Sequence, residues 1–393
     1  MGEEGGLERI LHPSSLLMRI GIDGRELLRG RITGIGRFLR NFLEGVALLR
    51  PPHEVIVYGD ERTDAGAVPP PATLRVLPER ATPWWDHVSL PRAAARDRVD
   101  VLFSPYDKGP LRGRCPLVLT VHDLLFLTLS EFRGVRRALY DRCYVLLHRR
   151  AFDRAAAILT VSAASRDDIV ALFGVPSERI RIVPNAVTGA CRRVGDGAEI
   201  GRVKDRYGVS GDYLMYVGNF KPHKNVKALL DAYVRLPQPL QNRCRLLLCG
   251  YLDAFGEGVR RAAAARGIER RVVFPGAVPD EDLPALYSGA SAFVFPSLYE
   301  GFGIPPLEAM ACGTPVICSD APPLPDAVGE AALVVNARHP EAIADALARV
   351  LTDADLRSEL RARGLERAAL FSVERATRMI LDALEQVASH AIR

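Results

Sequence analysis

Two glutamates flank a loop rich in glycine and proline in the second half of the chain. Glu300 precedes Gly301 and Gly303, and Glu308 follows two consecutive prolines. Glycine lets a backbone approach a ligand closely, and proline suits the first turn of a helix because it lacks an N–H donor. Carboxylates accept paired hydrogen bonds from vicinal hydroxyls, and a helix N-terminus favours an anion. The pattern indicates a site for a sugar or ribose beside a diphosphate, and a plain strand–helix turn is the alternative.

A second candidate segment carries two lysines just after a glycine. An apolar run ends at Gly218, and Asn219, Lys221 and Lys224 follow it. A lysine beside a glycine turn suits a diphosphate, on which it acts as a point charge. A solvated basic turn is the alternative interpretation.

Two further candidates follow apolar runs of the first half. His122 comes directly after Leu119–Val121, although a lone histidine is more often structural. Gly34 and Gly36 lie between a strand and a helical pattern, but Leu39 occupies the place of the third glycine of a dinucleotide-binding fingerprint. This glycine loop suits a phosphate or an acceptor, or it is an ordinary turn.

Short β-branched runs alternate with longer helical patterns in both halves. This alternation predicts parallel sheets with helices on both faces, and ligands beyond the carboxyl ends of the strands. The Gly-, Arg- and Asp-rich stretch 189–212 is the predicted linker between domains at 18–188 and 213–372, and the amphipathic helix 373–391 is a candidate to pack back on the first. The predicted strands are 18–23, 54–58, 99–103, 117–121, 157–161, 180–183, 213–218, 246–250, 272–274, 292–295, 315–318 and 333–335.

Composition restricts the class of protein. The 393 residues suit two cores, and a net charge of +5 without a nucleic-acid motif gives no reason to expect a nucleic-acid partner. The seven cysteines form no CxxC pair, so we expect reduced thiols rather than a zinc site or disulfides. Neither a signal peptide nor a transmembrane run is evident, which predicts a cytoplasmic protein.

The Glu300–Glu308 spacing resembles the hallmark of family 4 of the retaining glycosyltransferases, and the likeness covers most of residues 18–390. This resemblance implies an α/β protein of GT-B fold, with two Rossmann-like doubly wound parallel-sheet domains facing a cleft. The segments Gly34–Arg37 and Val217–Asn225 look most like bacterial mannosyl- or rhamnosyl-type enzymes that build surface polysaccharide.

The resemblance also assigns roles to single residues. It implies that Glu300 and the loop after it hold the donor sugar, that Glu308 binds the nucleotide ribose, and that His122 contacts the sugar. Asn219 stands where family members often carry an arginine, and Lys221 is the candidate replacement. The predicted catalytic residues are His122, Lys224 and Glu300, and the predicted ligand-binding residues are Gly34, Gly36, Gly218, Asn219, Lys221, Lys224, Val278, Gly301, Phe302, Gly303, Ile304 and Glu308.

The implied reaction moves a hexose, with mannose as first choice, from a nucleotide diphosphate sugar to a saccharide or lipid-linked saccharide. GDP-mannose is the first candidate donor, and UDP- and dTDP-sugars are alternatives. The resemblance implies retention of anomeric configuration without a metal or a tightly bound cofactor. A nucleotide-sugar epimerase, a phosphorylase of the same fold and a non-catalytic scaffold are the competing hypotheses.

Two other segments bear on the acceptor. Residues 133–154 contain seven arginines interleaved with apolar residues, which predicts either peripheral contact with the inner face of the membrane or a solvated helix with one core face. The adjacent Trp84 and Trp85 have three possible roles: stacking on an acceptor sugar, lying against lipid or filling a core.

Overall fold

The computed structural model describes residues 17–30, 33–79, 81–128 and 135–392. The strands are β1 (Arg19–Asp23), β2 (Glu54–Gly59), β3 (Thr73–Val76), β4 (Val101–Ser104), β5 (Leu117–Val121), β6 (Ala157–Thr160), β7 (Ile180–Ile182), β8 (Asp212–Val217), β9 (Cys244–Cys249), β10 (Val272–Gly276), β11 (Ala292–Phe295), β12 (Val316–Ser319) and β13 (Ala332–Val335). The helices are α1 (Gly34–Leu49), α2 (Thr82–Trp84), α3 (Leu90–Arg96), α4 (Leu125–Thr128), α5 (Val135–Arg154), α6 (Ala163–Phe173), α7 (Gly197–Arg206), α8 (Val226–Arg235), α9 (Gln238–Arg243), α10 (Ala254–Ala265), α11 (Leu283–Gly289), α12 (Ile304–Ala311), α13 (Leu324–Val328), α14 (Pro340–Thr352), α15 (Ala354–Ala369) and α16 (Val373–Ile392).

The strands form two sheets. One runs in the order β3-β2-β1-β4-β5-β6-β7, and the other runs in the order β10-β9-β8-β11-β12-β13. The pairs among β3, β2, β1, β4 and β5 are parallel, as are the neighbouring pairs of the second sheet. Central strands such as β8 are apolar on both faces because helices cover both sides of a parallel sheet. The predicted α/β class with two Rossmann-like parallel sheets is confirmed.

The chain divides into two compact units. The first comprises the described parts of Met1–Thr120, Val145–Ile158 and Thr377–Arg393. Inside it, α16 packs so closely on α1 that a Cβ added at Gly45 would overlap the side chain of Thr377. His53 Nε2 also lies 2.8 Å from Glu385 Oε1.

The second unit comprises the described parts of Val121–Tyr144 and Leu159–Ala376. It contains the six-stranded sheet and a continuous apolar core. Tyr213, Phe293 and Leu347 are fully buried members of that core. The residues that follow β8 and β11 belong to this unit.

Several strands differ from their predicted bounds by one or two residues at an end, and three local differences from the sequence prediction have a physical reason. Strand β3 was not predicted, since its residues are largely exposed and lack a buried apolar run. Strand β4 begins at Val101 rather than residue 99, because Arg98 adopts a left-handed conformation with φ of 53°. Helix α7 lies inside the predicted linker 189–212; the Asp196 side chain caps it, and Val203 is its buried residue.

None of the helices in the described part of the chain combines the length and the apolar composition that crossing a membrane requires. The basic segment 133–154 is covered from residue 135 onwards by α5, and residues 133 and 134 lie outside the described range.

Candidate functional site

The strand order of the second sheet reverses between β8 and β11. These strands are parallel neighbours, with Ala292 beside Leu214 and Phe293 beside Met215. The segments that leave their carboxyl ends, 218–225 and 296–303, therefore start side by side. Such a switch point is where open α/β sheets bind ligands.

Lys224 and Glu300 meet at this edge of the sheet. Lys224 Nζ donates a hydrogen bond to Glu300 Oε1 at 2.5 Å, and each side chain is 13% exposed. The same ammonium lies 5.3 Å from the centroid of the Phe295 ring. The ammonium and the carboxylate form an ion pair that is largely shielded from water. Electrostatic interactions are stronger there than at a solvated surface.

Backbone hydrogen bonds hold the two segments together. The carbonyl oxygen of His223 accepts from Leu298 N at 2.7 Å and from Ser297 Oγ at 3.3 Å. On the other side of Lys224, Asn225 has a φ of 56° and donates from Nδ2 to the carbonyl of Ala337 at 2.8 Å. Lys224 therefore sits on a turn that is fixed at both neighbouring residues.

The His122 segment lies against the loop after Glu300. A Cβ added at Gly301 would overlap the carbonyl oxygen of His122, so glycine is needed for this approach. The hydroxyl of Ser165 lies 3.3 Å from the carbonyl oxygens of both His122 and Gly301 and can donate to either. The structure thus brings together two segments that the sequence suggested separately.

Replacing Gly301 with alanine tests this close approach. The new methyl group would displace the His122 backbone, and we expect a destabilisation of about 1–3 kcal/mol, as for overpacking elsewhere. The matched control is Gly258→Ala, because Gly258 lies within α10 and no described residue has an atom within 4 Å of the position that a Cβ would take there. Alanine there should stabilise by roughly 0.5–1 kcal/mol. Urea unfolding of both variants measures the difference, and equal stabilities would contradict the contact.

Asp168 and Tyr299 were missed by the sequence analysis. Tyr299 precedes Glu300 in the loop, and its hydroxyl donates to Asp168 Oδ2 on α6 at 2.8 Å. Burial raises the pKa of the Asp168 carboxyl, while the Tyr299 hydrogen bond acts in the opposite direction. The pair ties the Glu300 loop to α6. No sequence motif marked it, because a lone aspartate on a helix is an ordinary surface residue.

His223 is a third residue that the prediction did not single out. It is 4% exposed, and its Nδ1 has no hydrogen-bond partner among the residues that the structure describes. Burial first, and then the positive charges of Lys224 and Lys221, lower its pKa to about 4. The imidazole is therefore neutral near pH 7, which keeps a third positive charge away from the Lys224–Glu300 pair.

The His223 pKa predicts a pH dependence of stability. Its folded-state pKa of about 4 lies below the ordinary 6.5, so the unfolded chain binds more protons between these values. Stability should therefore fall as pH is lowered from about 6.5 towards 4, and His223→Gln should reduce this slope. Urea midpoints of both proteins over that range measure it. Parallel pH profiles for the wild type and the variant would contradict a buried neutral His223.

Glu308 lies one helical turn into α12. Gly303 caps this helix in a left-handed conformation with φ of 98°, and α12 starts at the half-buried Ile304. The Glu308 side chain is 2% exposed, and the hydroxyl of Tyr287 donates to its Oε2 at 3.2 Å. Phe302 is buried, and its ring centroid lies 5.7 Å from that of Phe371. The loop from Gly301 to Ile304 is thus anchored by core contacts on the helix side.

The other predicted binding residues of the second unit surround β8 and β10. Gly218 has a φ of 153°, and the carbonyl of Asn219 accepts from Tyr216 Oη at 2.6 Å. The Asn219 side chain accepts from Lys221 N at 3.2 Å and shapes the turn. Lys221 is exposed, and Val278 is a partly buried residue packed on the core.

Gly34 and Gly36 belong to the first unit. Gly36 N donates to Thr33 Oγ1 at 2.9 Å, and a Cβ at Gly36 would lie 2.6 Å from the carbonyl oxygen of Glu26. Packing alone therefore explains this glycine. Gly34 is exposed at the first turn of α1, and no atom of the described residues lies within 4 Å of the position that a Cβ would take there.

Trp84 and Trp85 take different positions in the first unit. Trp85 is fully buried, and its Nε1 donates to Asp23 Oδ2 at 3.3 Å. The Arg25 guanidinium, paired with Asp23 at 2.8 Å, lies 4.8 Å from the Trp85 ring centroid. Trp84 is 44% exposed. Trp85 therefore fills a core, and only Trp84 remains accessible to a ligand.

No group of three or more His, Cys, Asp or Glu side chains in the described part of the chain is arranged to hold a metal ion.

Comparison with known proteins identifies the family. A model described as Glycosyltransferase Family 4 matches residues 32–188, and one described as Glycosyl transferases group 1 matches residues 204–367. The O-antigen chain mannosyltransferase B of Escherichia coli is 38% identical over 268 residues, which cover 68% of this chain and 69% of that protein. The chain belongs to glycosyltransferase family 4.

A second relative of this glycosyltransferase is much longer than the chain. It is the serotype-specific mannosyltransferase WbdA of Escherichia coli, with 33% identity over 71% of this chain and 34% of its own length. The glycosyltransferase thus spans about a third of that protein.

Solved structures confirm the GT-B fold of this glycosyltransferase. Anabaena HepE in complex with UDP and glucose superimposes with a TM-score of 0.73 at 18% identity, covering 94% of this chain and 100% of HepE. WaaG, a glycosyltransferase involved in lipopolysaccharide biosynthesis, gives a TM-score of 0.74 at 18% identity, covering 93% and 99%.

Proposed function

We propose that this glycosyltransferase moves a mannosyl residue from GDP-mannose to a saccharide or lipid-linked saccharide acceptor in surface polysaccharide synthesis. The 38%-identical Escherichia coli relative is a mannosyltransferase, which supports the choice of sugar. The donor's nucleotide diphosphate is proposed to bind at the switch point of the second sheet, within the predicted domain 213–372.

The Lys224–Glu300 pair is the observation that carries this proposal. Its ammonium and carboxylate are 2.5 Å apart at the carboxyl ends of neighbouring strands. The carboxylate can accept hydrogen bonds from sugar hydroxyls, while the ammonium attracts the departing diphosphate. The N-terminus of α12 adds a partial positive charge beside the same loop.

The proposed mechanism retains anomeric configuration by a front-face displacement. In this scheme the leaving phosphate helps to deprotonate the acceptor, and His122 contacts the donor sugar. The protein contributes mainly position and electrostatic stabilisation, so no metal is required. The hydrogen bonds that tie Ser165 and Tyr299 to the Glu300 loop support such preorganisation.

We further propose that the enzyme works at the cytoplasmic face of the membrane, with peripheral contact through α5. Leu146 and Leu147 are 63% and 55% exposed on this helix, and Arg149 and Arg150 beside them are also exposed. Exposed apolar and basic side chains on one helix suit an anionic lipid surface. Failure to sediment with anionic liposomes at low salt would rule this contact out.

A nucleotide panel tests the donor. Thermal unfolding of the wild type is measured with GDP, UDP, dTDP and ADP, and a selective upward shift with GDP is expected because a ligand that binds only the folded state stabilises it. Lys224→Met should lose the shift. Lys227→Met is the matched control, since Lys227 is exposed on α8 three residues further along.

Product analysis separates transfer from the competing activities. Release of GDP from GDP-mannose only when an acceptor is present, together with an α-linked product, supports retaining transfer. Acceptor-independent conversion of the donor would indicate an epimerase, and dependence on inorganic phosphate would indicate a phosphorylase. The absence of any nucleotide shift would favour a scaffold.

A further inference from the structure

A pocket of about 270 Å³ opens in the first unit, away from the segments described above. Leu102 and Leu117 line it, at the amino ends of β4 and β5. Ligands of the sheet's main site lie at the opposite, carboxyl ends of such strands. The pocket is therefore separate from the transfer chemistry proposed for this enzyme.

The pocket wall carries an excess of positive charge. Arg98, Arg114 and Arg154 line it, together with one carboxylate, that of Asp100. The Asp100 carboxylate is already engaged, since its Oδ2 accepts from Arg19 N at 2.7 Å. An anion that enters the pocket therefore meets three arginine side chains and one carboxylate. That carboxylate already accepts a hydrogen bond from the backbone.

The three arginines are not equivalent. Arg154 Nη2 donates to the carbonyl oxygens of Gly113 and Cys115 at 3.1 and 2.9 Å and so holds the loop that precedes β5. No hydrogen-bond or ion-pair partner is found among the described residues for the guanidinium of Arg98 or of Arg114. These two groups are available to a ligand.

The backbone turns at Arg98, just after the end of α3. Its φ of 53° lies in the left-handed region, which costs a residue other than glycine roughly 1 kcal/mol or more. The turn is fixed by Val99 N, which donates to the carbonyl of Ala94 at 2.9 Å. A left-handed residue closed by a bond of this kind is a common way for a helix to end, and here it ends α3. The turn leaves Arg98 at the pocket wall.

The floor of the pocket is apolar. Val99, Leu102, Leu117 and Ala388 line it and are 8%, 2%, 1% and 3% exposed. A fully hydrated anion would gain nothing from these side chains. The pocket therefore suits a molecule that joins an anionic head to an apolar group.

We propose that this pocket binds a phosphate ester with an apolar substituent, the phosphate on Arg98 and Arg114 and the substituent on the floor. Guanidinium groups match phosphate oxygens in geometry and charge, which favours a phosphate over other anions. A membrane lipid headgroup and a free phosphate ester share this chemistry.

Calorimetric titration of the full chain with hexyl phosphate tests the proposal. Hexyl phosphate should bind more tightly than inorganic phosphate, which lacks the apolar group, and hexanol, which lacks the charge. Combined Arg98→Asn and Arg114→Gln replacement should weaken binding about tenfold or more, since hydrogen bonds to charged groups contribute on that scale. Asparagine is chosen at position 98 because it tolerates a positive φ.

Two further variants make the result specific. Arg112→Gln is the matched control, because Arg112 is exposed on the same loop but does not line the pocket; it should bind as the wild type does. Ala391→Trp should block the pocket by volume alone, and Ala391 is exposed, so the larger side chain costs little stability. Equal binding by the wild type and the double variant, or binding no tighter than that of hexanol, would overturn the proposal.

Vesicles distinguish the two sources of the ligand. Phosphatidylcholine vesicles are prepared with and without phosphatidic acid and added to the hexyl phosphate complex. Displacement by the phosphatidic acid vesicles alone, seen for the wild type and Arg112→Gln, supports a lipid headgroup. Retention of hexyl phosphate against both vesicles supports a free phosphate ester.

Discussion

Glu300→Ala is expected to lower the turnover of mannosyl transfer by about 100-fold, with a smaller effect on nucleotide affinity. The proposed role of Glu300 is to hold the donor sugar in the position for reaction. Misplacement of reacting groups by about 1 Å is sufficient for a loss of this size. Initial rates of GDP release in the presence of acceptor give kcat, and calorimetry with GDP gives the nucleotide Kd.

The structure supplies a reason for the separation of these effects. Glu300 is bound by Lys224 at 2.5 Å, so its loss leaves a part-buried ammonium without its carboxylate. We expect this to destabilise the protein by about 1–3 kcal/mol. The freed ammonium can still pair with a diphosphate, so GDP affinity should fall little or even rise.

A double-mutant cycle isolates the contribution of the pair. The variants are Glu300→Gln, Lys224→Met and their combination, because glutamine keeps the shape of the side chain without its charge. The two single losses in kcat should not add, since both remove one interaction. Additive losses would contradict the coupling of the two side chains, and a normal kcat in Glu300→Ala would refute the role assigned to Glu300.

The main elements could be predicted from the sequence because their apolar runs are buried on both faces. Strands β5 and β11 have the predicted bounds, and the segments after β8 and β11 carry the residues that meet in the site. Strand β3 was not predicted because its residues are mostly exposed at a sheet edge. Helix α7 was not predicted because Val203 is its buried residue, which gives no apolar pattern at helical spacing.

The contacts within the site depend on tertiary structure that no local pattern reports. Lys224 and Glu300 are 76 residues apart, and their pairing follows from the adjacency of β8 and β11. The Tyr299–Asp168 hydrogen bond spans 131 residues without a motif at either end. The burial of His223 was not predicted, since Lys221 and Lys224 suggested a solvated basic turn.

Trp84 and Trp85 show the same limit of prediction from sequence. From the sequence alone, each of two adjacent tryptophans could either fill a core or contact a ligand. The structure separates them because Trp85 finds a polar partner for its Nε1 at Asp23 and a cation above its ring at Arg25. Trp84 has no comparable burial and keeps 44% of its surface exposed.

Glu308→Ala is expected to weaken binding of GDP by about tenfold or more while changing kcat less. The proposed role of Glu308 is to accept hydrogen bonds from the ribose hydroxyls, and hydrogen bonds to a charged group contribute on this scale. Its burial at 2% exposure adds a stability effect, because Tyr287 then loses an acceptor for its hydroxyl. Because the variant is less stable, calorimetry with GDP is done well below its unfolding temperature, so that it measures binding to folded protein.

Tyr287→Phe separates the two roles of this carboxylate. It removes the hydroxyl that donates to Glu308 Oε2 at 3.2 Å but leaves the carboxylate in place. If Glu308 binds the ribose, Tyr287→Phe should keep most of the GDP affinity, and Glu308→Gln should lose part of it because an amide has a single acceptor oxygen. If Glu308 only supports the core, both alanine and phenylalanine variants should lose stability while GDP still binds each of them with the wild-type Kd. That second result would place the ribose elsewhere, because a carboxylate in contact with it cannot be removed without a loss of affinity.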